Sequence, residues 1–172
     1  LAWSPDNPSS IVNCLEASRE NARAVRGSIT SEMWENINDT WLQLSAKRQG
    51  GVLPVDAAFF DWVKERSHLF RGITFATIRR DQPYQFIRLG TFLERADNTA
   101  RLMDVKYYVL LPGIEYVGSG LDNYQWTMLL RAMSAHRAFH WAYGGEVTAR
   151  KIAHFLILNP QCPRSLIACV QG

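Results

Sequence analysis

The residues best suited to chemistry lie in one stretch, 86–101, where carboxylates and guanidinium groups recur at helical spacing. Steps of three and four residues place Glu94, Asp97 and Arg101 on one stripe of a helix. Asp97 and Arg101 are four residues apart, a spacing that allows an ion pair on the helix surface. Toward both of its ends the same stripe continues with small or apolar residues. We therefore expect the charged residues in its middle to lie at the edge of the core. There a shifted pKa would let Glu94 or Asp97 act as a general acid or base.

Charged residues at core-facing positions also recur on the first and third predicted helices. Arg66, for example, falls between Val63 and Phe70 in the helical period. Two interpretations of these charges stay open. They form a closed network that fixes helix register, or they line a polar cavity that binds an anionic ligand. The candidate ligand-binding residues are Glu20, Arg23, Arg26, Glu65, Arg71, Glu94, Arg95, Asp97 and Arg101.

Arginine dominates the basic residues, since only four of the 19 lysine and arginine residues are lysine. Arginine suits fixed, bidentate pairing with carboxylates or phosphates. The basic residues are dispersed among 16 acidic ones, whereas a nucleic-acid surface needs a denser basic stripe. We therefore expect no nucleic-acid partner. The sequence holds no phosphate-binding glycine loop and no nucleophile-elbow motif, and we expect no cofactor.

Helical periodicity dominates the chain, and no run of alternating apolar and polar residues predicts a strand. We therefore predict an all-α fold, a helical bundle of about six helices with a long central helix at about 83–111. Capping residues, glycines and prolines set the helix boundaries. They predict helices that begin near Ser10, Ser31, Asp56, Pro83, Asp122 and Thr148, and a last turn at Leu166-Ile167. The predicted stops are Gly27, Gln49, Pro112, Gly144 and Asn159.

The fourth predicted helix carries the strongest apolar pattern in the chain. Its apolar residues alternate in steps of three and four over roughly seven turns. We expect this seam to face the core along the length of the bundle. The seam consists of Phe86, Leu89, Leu93, Ala96, Ala100, Met103, Tyr107 and Leu110.

Three weaker signals concern metals, thiols and membranes. His136 and His140 have the spacing of a helical metal-ligand pair but no glutamate between them, and we expect core-edge histidines and no metal site. The three cysteines form no C-x-x-C pair, which favours buried free thiols in a reducing compartment. No apolar stretch approaches the length of about 20 residues that spans a bilayer. We expect no membrane partner and a cytoplasmic location.

The stretch 86–101, which contains Glu94-Arg95, resembles the signature of the bacterial alpha-E domain family. Further stretches that resemble the family are 6–11, 19–23, 60–66, 104–107 and 155–160. The resemblance implies an all-helical fold with a Glu-Arg motif. Because family members are longer, we expect a single alpha-E-like helical domain over residues 1–172 that is incomplete at both ends.

The resemblance also implies an association with circularly permuted ATP-grasp ligases and transglutaminase-like peptidases, which make or modify peptides through amide bonds. We therefore expect a non-catalytic accessory or binding partner of an ATP-grasp amide ligase. Its polar site would recognise an acidic peptide or anion, with Arg23, Arg95 and Arg101 as bidentate donors. Two alternatives stay open. One is an enzyme that uses Glu94 or Asp97 for acid–base chemistry on a peptide, and the other is a structural protein-interaction domain without a ligand.

Overall fold

The computed structural model describes Ser4 and residues 6–48, 56–110, 113, 116–145 and 147–172. All regular elements within these ranges are helical, which confirms the predicted all-α class. Eight α-helices are present in this part of the chain, where about six were predicted. They are α1 (Ile11–Ala24), α2 (Ser31–Arg48), α3 (Ala57–Thr77), α4 (Gln82–Val105), α5 (Gly120–Ala132), α6 (His136–Tyr143), α7 (Ala149–Leu158) and α8 (Leu166–Gln171).

The chain divides into two compact units, residues 1–84 and 85–172. The first unit contains α1, α2 and α3. The second contains α5 to α8 and nearly all of α4. The expectation of one domain over residues 1–172 stays a prediction.

The first unit is an antiparallel arrangement of α1, α2 and α3 around a small apolar core. Val12, Leu44 and Phe59 are buried at its centre, one from each helix. All three helix starts predicted in this unit are confirmed, and two of them have side-chain caps from the predicted residues. The side chain of Ser10 accepts a hydrogen bond from the backbone N–H of Asn13, and Asp56 accepts one from Phe59. Such caps satisfy N–H groups that the first helical turn leaves without partners.

The second unit has the larger core, which α5, α6 and α7 build together. Trp126, Leu130, Phe139, Ile152 and Leu156 are completely or almost completely buried there. The predicted start of α7 is confirmed, because the Thr148 side chain caps the helix at Lys151. This core fixes the position of α5, which in turn carries one member of the buried ion pair described below.

The predicted helix from Asp122 to Gly144 is wrong, because the chain breaks it into α5 and α6. Ser134 adopts a φ of 55°, in the left-handed region, and this residue turns the chain between the two helices. The predicted cap of α5 is also wrong. Ser119 caps the helix by accepting from the backbone N–H of Asp122, and Asp122 itself lies inside the first turn.

The long helix predicted at about 83–111 is α-helical only to Val105. A π-helical turn, Lys106–Leu110, follows it, and such turns widen the backbone by one residue. Leu111 and Pro112 lie outside the described residues. The π turn matters because its first residue, Lys106, enters the core of the second unit.

The predicted core seam of α4 is wrong for most of its length. Phe86, Leu89 and Leu93 are 64%, 54% and 62% exposed, whereas Met103 packs against the apolar core and Tyr107 packs against its Trp126. The inward face of α4 instead carries Thr99, and the π turn continues that face with Lys106; both residues are 1% exposed. That face is rotated from the seam by roughly one residue step, about 100°. The polar side chains face inward because they bind backbone carbonyls and a carboxylate in the second unit.

Candidate functional site

The candidate residues on α1 and in the turn just after it form exposed contacts with close neighbours. Glu20 accepts from Arg19 at 2.8 Å and lies 3.7 Å from a guanidinium nitrogen of Arg23. Arg26 stacks over the indole of Trp34, with 4.8 Å from the guanidinium carbon to the ring centroid. Exposed ion pairs of this kind contribute little to stability, about 0–1 kcal/mol. They leave the guanidinium groups of Arg23 and Arg26 accessible to solvent.

The candidates on α3, Glu65 and Arg71, are both exposed. The neighbouring Arg66, predicted at a core-facing position, is the residue that connects α3 to α2. Its guanidinium group donates to Thr40 Oγ1 at 2.8 Å, to the Asn36 carbonyl at 3.0 Å and to Asp39 at 2.8 Å. The Arg66 side chain is only 15% exposed. This cluster is the closest match in the first unit to the predicted network that fixes helix register.

The charged stripe of α4 is exposed to solvent, so the expectation that its charges lie at the edge of the core is wrong. Glu94, Asp97 and Arg101 are all exposed, because the inward face of α4 is the one that carries Thr99. The predicted pair between Asp97 and Arg101 is confirmed, with the guanidinium Nε 2.6 Å from Oδ2. The hydrogen bond and the charge of Asp97 raise the pKa of Arg101.

Arg95 does not share the exposed face of its neighbour Glu94, and it binds another part of the second unit. Its guanidinium donates to the backbone carbonyl of Pro163 at 3.0 Å and lies 5.5 Å from the ring centroid of Phe92. Two further side chains of the same face act in parallel. Thr99 donates to the carbonyl of Arg164 at 2.8 Å, and Arg88 donates to the carbonyl of Gly172. The face of α4 that carries Arg95 therefore holds the segment around α8.

A buried ion pair between Lys106 and Asp122 escaped the sequence analysis. Both residues are 1% exposed, and the Lys106 ammonium also lies 4.5 Å from the ring centroid of Trp126. Asp122 accepts a second hydrogen bond, at 2.8 Å, from the backbone N–H of Gly118. Burial acts to raise the pKa of Asp122, but the hydrogen bonds and the Lys106 charge outweigh it and lower that pKa.

Only a faint sequence signal pointed to this pair. Lys106 is one of the chain's few lysines and interrupts an otherwise apolar segment, while Asp122 looked like an ordinary helix cap. The pairing depends on the π turn and on the loop before α5, which no local pattern encodes. The structure thus uses this charge pair to join the end of α4 to the start of α5.

His136 and His140 are half-buried on one face of α6, beside the core of the second unit. Their ring centroids are 4.6 Å apart, and His140 also contacts the edge of Phe139. The described residues contain no cluster of three or more histidines, cysteines or acids arranged to hold a metal. Among the cysteines, Cys162 and Cys169 are buried as predicted, whereas Cys14 is exposed.

The nine candidate residues are divided between the two units. Glu20, Arg23, Arg26, Glu65 and Arg71 lie in the first unit, and Glu94, Arg95, Asp97 and Arg101 lie in the second. Within the second unit, Arg95 faces away from the other three. No helix among the described residues combines the length and hydropathy needed to cross a membrane.

The all-α architecture and the adjacent Glu94 and Arg95 on a long helix define a class of helical domains. The chain belongs to the alpha-E family, described as a predicted alpha-helical domain with a conserved ER motif, whose model matches residues 1–172. The resemblance noted in the sequence is thereby confirmed. No curated protein and no solved structure matches the chain.

Proposed function

We propose that this chain is a non-catalytic helical binding domain that serves as an accessory partner of an ATP-grasp amide ligase. We further propose that it binds the ligase through the outward surface of α4, here named the α4 face. The α4 face consists of Phe86, Leu89, Leu93, Glu94, Asp97 and Arg101. The observation that supports the proposal most is the exposure of the three apolar side chains beside three charged ones on a single helix.

The composition of the α4 face suits a protein partner. Contiguous exposed apolar patches mark interaction sites, and interfaces combine an apolar centre with a polar rim. Leu89 and Leu93 lie one turn apart and form the centre, with Asp97 a further turn along. The adjoining charges of Glu94 and Arg101 supply the rim, where they set orientation and partner choice more than affinity.

A free anion suits these charges less well than a protein surface. Arg101 is bound to Asp97, and Arg23 lies beside Glu20, so an incoming carboxylate has to displace one that is already present. The enzyme alternative gains no support from the geometry either. Glu94 and Asp97 are exposed to water, whereas acid–base catalysts work in enclosed sites that tune their pKa.

The experiment measures the affinity of the full-length protein for the ATP-grasp ligase proposed as its partner, by isothermal titration calorimetry. Leu93→Asp places a charge at the centre of the α4 face, and we expect the Kd to rise at least about 30-fold. Leu158→Asp is the matched control, because Leu158 ends α7 with a similar exposure of 56%. We expect its Kd to stay within about twofold of the wild type.

Two results would contradict the proposal. If Leu93→Asp and Leu158→Asp weaken binding equally, the α4 face is not the interface. If the unaltered protein does not bind the ligase at all, the assigned partner is wrong. A ligase assay with and without the wild-type protein then establishes whether binding changes the rate of amide-bond formation.

A further inference from the structure

The two histidines of α6 are held at a separation that fits one metal ion. Their Nε2 atoms lie 3.3 Å apart. Nitrogen ligands bind Zn²⁺ at about 2.0–2.1 Å, so two of them on a tetrahedral ion are about 3.3–3.4 Å apart. The two atoms are also within hydrogen-bonding distance, so one Nε2–H can donate to the other, and a bound metal ion takes the place of that proton. The spacing of His136 and His140 is therefore compatible with shared coordination.

The backbone after α6 orients one of the two ligands. The His140 Nδ1 atom lies 3.3 Å from the carbonyl oxygen of Gly144, which can only accept a hydrogen bond. The proton of neutral His140 is therefore assigned to Nδ1, which leaves the lone pair of Nε2 directed at His136. Such a carbonyl contact is the usual way in which proteins fix the tautomer of a metal-binding histidine. Gly144 reaches this position with a φ of 73°.

Arg131 lies close enough to His136 to act on its imidazole electrostatically. Its positive charge opposes a bound cation. The site therefore relies on its two nitrogen ligands and not on attraction by nearby acids.

We propose that His136 and His140 form a two-histidine site for Zn²⁺, or for another divalent transition metal that accepts tetrahedral nitrogen ligands. The described residues supply no third ligand in a cluster with them. The remaining coordination positions are then open to water or to a carboxylate brought by a ligand or partner protein. This site is separate from the α4 face and does not depend on the proposed ligase partnership.

Zn²⁺ titration of the untagged protein by calorimetry tests the proposal. We expect saturable 1:1 binding that Mg²⁺ does not reproduce, because Mg²⁺ prefers oxygen ligands. His136→Gln and His140→Gln should each weaken Zn²⁺ binding at least about tenfold, since each removes one of two ligands. His68→Gln is the control, because His68 is a single exposed histidine on α3. Its affinity for Zn²⁺ should equal that of the wild type.

Two further measurements separate a built site from surface binding. Arg131→Gln should strengthen Zn²⁺ binding, because it removes the opposing positive charge. Co²⁺ should give the intense visible absorption of tetrahedral coordination in the wild type and not in His136→Gln. Equal Zn²⁺ affinity in the wild type and His136→Gln would overturn the proposal. A loss of affinity in His68→Gln as large as in His140→Gln would overturn it as well. Thermal melts of each variant verify that it is folded.

Discussion

The buried pair of Lys106 and Asp122 should make the second unit sensitive to the loss of either partner. We consider Lys106→Met and Asp122→Asn. Each change leaves one charge without its counterion at a site where both residues are 1% exposed. Breaking a buried ion pair in this way costs about 3–5 kcal/mol. Domains are stable by only about 5–15 kcal/mol, so either variant should lose a large share of its free energy of unfolding.

Removing both charges together should cost far less. The double variant Lys106→Met/Asp122→Leu leaves no unpaired charge, and apolar replacements of buried pairs are often neutral or stabilising. It does lose the hydrogen bond from the Gly118 backbone N–H to Asp122, which is worth about 1 kcal/mol. We therefore expect the double variant to be within about 2 kcal/mol of the wild type, and more stable than either single variant.

The assay is urea unfolding followed by circular dichroism, combined with amide hydrogen exchange of α5 as a local measure of the second unit. The exposed pair of Lys64 and Asp61 on α3 is a matched control, because its side chains are 65% and 61% exposed. Lys64→Met should change the free energy of unfolding by less than about 1 kcal/mol. If Lys106→Met costs as little as Lys64→Met, the buried pair is not the element that joins α4 to α5.

The pKa of Asp122 adds a pH dependence of known sign. Its pKa is lowered in the folded protein, below the value of about 3.9 for an unfolded aspartate. The stabilisation by Asp122 is therefore present in full above that unfolded value and is lost as the pH falls through the folded pKa. The wild type should lose more stability on acidification than Lys106→Met/Asp122→Leu. Parallel pH profiles for the two proteins would contradict this reasoning.

Three other predictions concern the backbone turns and the thiols. Ser134→Gly should raise the free energy of unfolding by about 1 kcal/mol, because a φ of 55° strains a residue with a Cβ. An unchanged midpoint of urea unfolding would show that Ser134 is not strained. Gly144→Ala should lower the free energy of unfolding by about 1–3 kcal/mol, because a φ of 73° with a ψ of −161° suits only glycine. Gly145→Ala is the control and should be nearly neutral, because Gly145 has no positive φ. Cys14 is exposed, whereas burial raises the pKa of Cys162 and Cys169, so Cys14 should react much faster with a disulfide reagent than the other two thiols. Three equal reaction rates would contradict this prediction.

The helix starts were predictable because caps are local chemistry. Ser10, Asp56 and Thr148 each precede a periodic segment, and each binds the backbone N–H three residues on, as such positions require. The break at Ser134 was not predictable in the same way. A serine in the left-handed region follows from how α5 and α6 pack on their shared core, and the apolar pattern runs through the break without interruption.

The apolar pattern of α4 does not show which face of the helix points inward. Periodicity shows which residues share a face, but it does not show what covers that face. Leu89 and Leu93 share a face as predicted, yet that face is exposed. Arg95 and Thr99 face inward because carbonyls near α8, some 65 residues further along the chain, accept their hydrogen bonds. Contacts of such separation belong to tertiary structure and have no signature in a single helix.

The charged candidates show the same limit. Asp97 and Arg101 pair as their spacing predicts, because both partners lie on one helix. Arg66 was placed correctly at a core-facing position, but its partner Asp39 lies on another helix and was not identified. Sequence spacing thus predicts ion pairs within a helix and not those between helices.

Photo-crosslinking shows whether the α4 face is where the ligase binds. A photo-crosslinking amino acid in place of Leu93 should yield a covalent complex with the ATP-grasp ligase on irradiation. The same amino acid in place of Leu158, which is similarly exposed on α7, should yield none. A crosslink from the position of Leu93 alone is the predicted result. A crosslink from the position of Leu158 alone, or equal crosslinks from both, would contradict the assignment of the interface to α4.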